Sequence, residues 1–181
     1  PLPVPPAGER RLRECAWEPC VTFAVPKDWL SGVYLAKLSA TGHRYQSYCI
    51  FIVRDDRAAN VCFQCSTNTW QAYNKWGGCS RYECSGHKGY NRASKLSFDR
   101  PYRRSSGKGA GQFLENEFPM VAFVEELGID VSYATSIDLD QHPEIARAVH
   151  GVLLMGHDEY YSAAMRGALV TARGAGVNLG F

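Results

Sequence analysis

From residue 60 onward the chain alternates between short apolar runs and stretches of helical period, and nothing else in it restricts the fold as much. "NVCFQC", "IDVSYAT", "GVLLM" and "VNLGF" read as strands, rich in β-branched and aromatic residues. "GQFLENEFPMVAFVEELG" carries Phe113, Met120, Val121, Val124 and Leu127 as a stripe of helical period, with Gly128 suited to a C-cap. Pro119 either kinks this helix or opens a second one at its first position. "HPEIARAVH" predicts a short helix and "SAAMRGALVTARGAG" a longer one. The order is β, long loop, α, β, α, β, α, β, which implies an α/β fold with a parallel sheet and helices on both faces. Strands that are continuous apolar runs fit a sheet covered on both sides.

Upstream the pattern differs. Residues 1–13 read as a Pro-rich linker. "CVTFAV", "GVYLAKLSA" and "YCIFIV" predict three strands within 14–56, expected to be the C-terminal strands of a β-sandwich. "RDDRAAN" is the expected boundary, leaving 57–181 as an α/β domain. The start without Met and the apparent strand at the last residues suggest a piece of a longer chain. A net charge of +2 gives no nucleic-acid footprint, and the local run Arg100, Arg103, Arg104 reads mainly as solvated surface. No apolar run is long enough to span a membrane, and the compartment is left open.

Seven cysteines exclude complete internal pairing. Cys62, Cys65, Cys79 and Cys84 invite a four-sulfur zinc site. Against it, positions three apart on a strand face opposite sides, so buried or reduced thiols are the expectation.

In open α/β sheets ligands bind beyond the carboxyl ends of the strands. Two polar-rich loops leave that edge. One is the long stretch 66–112, which carries Trp70, Tyr73, Trp76, Tyr82, Tyr90, Phe98 and Tyr102 and is too aromatic for a disordered segment. The other is "GHDEYY", between the strand at 151–155 and the helix after Ser162. Ser162 reads as an N-cap and Asp158 as a carboxylate near a helix N-terminus. Glu159, among apolar elements and aromatics, needs a partner, which Arg100, Arg166 or a metal would supply.

"TNTWQAYNKWGGCSRY", "KLSFDRPY", "FVEELGIDVSYATSIDL" and "LLMGHDEYYSAAM" occur in an order and spacing that resembles the large subunit of N,N-dimethylformamidase, as does "VPKDWLSGVYLAKLSA" upstream. The expected fold is then a flavodoxin-like or class I glutamine amidotransferase-like sheet. The resemblance implies a mononuclear Fe(III) held by Tyr73, Tyr82 and Glu159, with Tyr102 competing with Tyr82, and His157 as the catalytic residue facing substrate. Asn74, Trp70 and Tyr102 are the residues expected to bind a small amide. A homo-oligomer or a small subunit is the partner such a chain would take.

Two other readings compete. A non-catalytic module would bind carbohydrate or a partner through exposed Trp70, Trp76 and Tyr90. A cysteine-dependent amidotransferase would need a cysteine at the strand-to-helix elbow that position 157 occupies, and His stands there.

Overall fold

The computed structural model describes residues 3–84, 87–88, 91–105 and 107–181. Strand β1 (Gly32–Ser39) pairs antiparallel with β2 (Gln46–Val53). Then come β3 (Val61–Cys65), helix α1 (Thr67–Tyr73), the short antiparallel pair β4 (Glu83–Cys84) and β5 (His87–Lys88), and α2 (Phe118–Glu126). The chain continues through β6 (Val131–Thr135), α3 (Ser136–Gln141), β7 (Gly151–Leu153), α4 (Ala163–Gly174) and β8 (Asn178–Gly180). The parallel sheet has the order β6-β3-β7-β8. Counted along the chain, the first strand of this sheet lies between the second and the third.

Both faces of the sheet are covered, as the unbroken apolar strands require. On one face Cys62, Ala134 and Val152 pack with Leu139 of α3, with Ala146, and with Met165, Ala168, Leu169 and Ala172 of α4. On the other, Phe63, Cys65, Val131 and Tyr133 pack with Trp70, Phe113 and Val124. Val33, Ile50 and Ile52 of the hairpin close that second face. The hairpin obeys the period of two: Tyr34 stands opposite Phe51 and stacks on Trp29 outside, while Val33, opposite Ile52, turns inward.

Several expectations are corrected. Residues 20–25 form no strand and lie exposed, so a two-stranded hairpin stands where three sandwich strands were expected. Alternation of apolar residues signals a strand only when a neighbour accepts its hydrogen bonds, and among the described residues none does here. Helix α1 sits inside the stretch that showed no period. Thr67, Thr69, Trp70, Gln71 and Ala72 are all buried, polar and apolar alike, so the helix has no amphipathic stripe to read. A π-helical turn (Phe113–Glu117) precedes α2, and Pro119 lies in the first turn of α2, so the proline opens a second helix rather than kinking one. Among the described residues no helix is long and apolar enough to cross a membrane.

Cys62 and Cys65 belong to opposite faces of the sheet, and Cys79 is bonded to Cys84. These four sulfurs therefore do not share a site, and two of them are not thiols. Cys15, Cys20, Cys49, Cys62 and Cys65 are free.

Candidate metal centre

The order of the parallel strands puts the crevice between the carboxyl ends of β3 and β7. Helix α1 leaves β3 there, and the loop 154–162 leaves β7 there. Gly156 lies in this loop at φ +82°, a left-handed conformation that glycine adopts without strain, and its backbone runs beside Asn116 and Glu117. The loop is then fastened to α1. The Thr69 hydroxyl accepts from the Glu159 and Tyr160 amides at 3.1 and 3.4 Å, and Asn68 Nδ2 donates to the Tyr160 carbonyl at 3.2 Å. Ser162 caps α4 by accepting from the Met165 amide at 3.0 Å.

Those fastenings sort the polar residues of "GHDEYY". Asp158 turns inward, where its Oδ1 accepts from Thr69 at 3.4 Å. Burial raises its pKa against hydrogen bonds from Tyr161, Thr69 and Gln64. Glu159 turns outward, and the Tyr82 hydroxyl donates to its Oε1. Tyr73, the last residue of α1, packs tilted against Tyr82 with ring centroids 4.5 Å apart, close enough for the Glu159 carboxylate to raise its pKa. Two phenols and one carboxylate, distant in sequence, meet at one point. His157 packs edge-on against Tyr73 at 4.9 Å, and its Nδ1 lies 3.3 Å from Asn116 Nδ2.

The electrostatics of this cluster are one-sided. Tyr82 is pushed far above the usual phenol range by burial and by hydrogen bonds to Glu159, Tyr160 and Tyr73. For Tyr73 the hydrogen bond with Tyr82 lowers the pKa, but burial and the Glu159 carboxylate outweigh it and the net shift is upward. Arg100 and Arg166 do not pair with Glu159; among the described residues no lysine or arginine does. A hard cation is the natural partner for such oxygens, and its charge would reverse the shifts by holding the phenols deprotonated. The described residues contain no grouping of three or more His, Cys, Asp or Glu suited to a metal. The tyrosine-rich donor set is of another kind.

A cleft of about 310 Å³ adjoins Tyr73 and is lined by Trp70, Asn74, Tyr102, Gln112 and Glu115, among others. Trp70 and Tyr102 supply walls: the Trp70 indole donates to Glu117 at 2.7 Å, and Tyr102 packs edge-on against Trp70 at 6.1 Å. Tyr102 is therefore apart from the cluster that Tyr82 joins. Asn74 spends its amide on the protein, donating to the Pro101 carbonyl at 3.0 Å and accepting from the Trp76 and Arg103 amides at 3.1 Å. Of the aromatics a binding module would expose, Trp70 is 2 % exposed and Trp76 is half-buried, edge-on against Trp17 at 5.8 Å. Tyr90 lies outside the described residues.

Four participants were not read from the sequence. Tyr160 donates to the Tyr82 oxygen at 2.8 Å, Thr69 and Asn116 hold the loop and His157, and Glu117 lies buried behind Gly156. Glu117 had a signal, since it falls on the apolar stripe between Phe113 and Met120. The other three had none that separates them from surface residues.

The chain belongs to the family described as N,N-dimethylformamidase beta subunit-like, C-terminal, whose model matches residues 3–181. No curated protein matches it significantly.

Proposed function

With membership of that family as the starting point, we propose that the chain is the metal-holding domain of an amidohydrolase that cleaves the C–N bond of a small amide with water. The observation that carries this reading is the meeting of Tyr73, Tyr82 and Glu159, with no lysine or arginine among the described residues on the carboxylate. Two tyrosinates and one carboxylate match the charge of Fe(III) and the preference of a hard ion for anionic oxygen. Bound there, the ion would polarise an amide carbonyl and make nearby water more acidic.

The chain's own residues supply the rest. His157, engaged at Nδ1 by Asn116, keeps Nε2 for a proton from the attacking water. Trp70 and Tyr102 wall the cleft that admits the amide, and Asn74 holds its shape. The strand order supports reading the sheet as flavodoxin-like, a fold whose ligands sit at the switch point between its first and third strands.

Loading the purified chain with Fe(III) tests the reading. About one iron per chain is expected, with visible absorption from tyrosinate-to-iron charge transfer. Tyr73→Phe should lose most of the colour and keep the parent's thermal unfolding. A chain that stays colourless and iron-free overturns the proposal.

A further inference from the structure

Arg100 is 6 % exposed, and no carboxylate among the described residues pairs with it. Its guanidinium is spent entirely on neutral oxygens. Nε donates to Gln71 Oε1 at 3.1 Å and Nη2 to the Gln71 carbonyl at 3.0 Å. Nη1 donates to the carbonyls of Cys79 at 3.0 Å and Trp76 at 3.4 Å. Gln71 stands two positions before Tyr73 on α1, and Cys79 three before Tyr82. One side chain thus grips both segments that carry the clustered phenols.

The backbone between the phenols does not set their spacing alone. It passes through Gly77 and Gly78, both at positive φ, +74° and +89°. A second tie, from the Arg81 amide to the Ala72 carbonyl at 2.8 Å, joins the same two segments, but it is one bond about which they can still pivot. The planar guanidinium fork, bonded on three sides, removes that freedom. A buried cation without an anion is a costly way to fill space, and an apolar side chain of the same size would pack more cheaply. What the arginine adds is geometry.

We propose that Arg100 is a positioning residue that sets the separation of the Tyr73 and Tyr82 phenols; its consequence for metal binding rests on the function proposed above. Lysine keeps the charge but offers a point donor that cannot reach Gln71 and Cys79 together, so Arg100→Lys loses the brace.

The test uses the metal-free full chain. Photo-oxidative coupling of tyrosines, followed by peptide mass spectrometry, measures the Tyr73–Tyr82 cross-link per folded molecule. Folded Arg100→Lys should give a yield lower by about threefold or more, because radical coupling needs aligned neighbours. In Fe(III) titrations its affinity should fall about 10–100-fold, the usual cost of losing a group that orients ligands. Arg104→Ala, from the same basic run but bonded to the Gln46 carbonyl and lying over Tyr45, should leave both values at the parent's. Should Arg100→Lys not fold, Gln71→Leu removes one acceptor and should lower the cross-link in the same direction. A merely structural arginine would change stability and leave the cross-link of folded molecules untouched, and that result overturns the proposal. A parent that takes up no iron, with Arg100→Lys still reducing the cross-link, refutes the metal reading and leaves the positioning role standing.

Discussion

Glu117 is 1 % exposed, yet no lysine or arginine among the described residues meets its carboxylate. Its Oε1 accepts from the Ser66 amide at 3.1 Å and the Trp70 indole at 2.7 Å, so it pins the start of α1 from behind the site. Burial pushes its pKa from 4.5 up to about 7, against the pull of those hydrogen bonds. The native chain therefore keeps this proton where the unfolded chain has released it. Its contribution is full below pH 4.5 and is lost as pH rises to about 7. The loss expected across that window is on the order of 2–3 kcal/mol. Glu117→Gln keeps the acceptor and cannot ionise, so its stability in urea should lack that decline. A variant with the parent's slope would show that Glu117 does not titrate there. Glu159→Gln, in turn, should lower iron uptake severely while leaving thermal unfolding near the parent's, since its side chain is exposed.

The segment from α1 to β4 holds two of the three candidate ligands. Its parts are locked to one another rather than to a regular sheet. The Cys79–Cys84 bond closes the turn that bears Tyr82, and Ser80 Oγ accepts from the Tyr82 and Glu83 amides at 3.2 and 3.3 Å. Replacing both cysteines by serine should cost about 2 kcal/mol, the loop-closure value for so short a ring. The same change should weaken iron binding, because the turn that presents Tyr82 then fluctuates. Urea unfolding beside an Fe(III) titration checks both, and unchanged values would make the bond incidental. None of this was legible in the period of the residues. Helix α1 is buried along most of its surface, and the turn is shaped by a covalent bond whose partners a count of seven cysteines does not name.

The hairpin β1–β2 and the parallel sheet make one packed body, because Val33, Ile50 and Ile52 close the face that holds Phe63 and Tyr133. Gly109 lies against β2 at φ +93°, where a Cβ would collide with the Tyr48 carbonyl oxygen. Gly109→Ala should therefore destabilise the whole chain by about 2–4 kcal/mol, from strain and steric displacement together. Val21, 81 % exposed in a segment without strand structure, is the counterpoint. Val21→Asp should stay within about 0.5 kcal/mol of the parent in denaturant unfolding. A large loss there would mean that residues 20–25 pack as a strand after all. The two outcomes show where local pattern suffices. Apolar runs of strand length and amphipathic stripes announced β3, β6, β7, β8, α2 and α4, because a covered sheet needs such residues wherever it runs. The same pattern placed two polar loops at the carboxyl edge, since a parallel sheet sends every strand end there. It did not announce α1, the Cys79–Cys84 bond, the burial of Arg100, or the fate of residues 20–25. Each of these depends on a partner far along the chain, and a linear pattern records a residue's own preference, not which distant group arrives to satisfy it. The meeting of Tyr73, Tyr82 and Glu159 is of that second kind, a matter of three segments brought together by strand order.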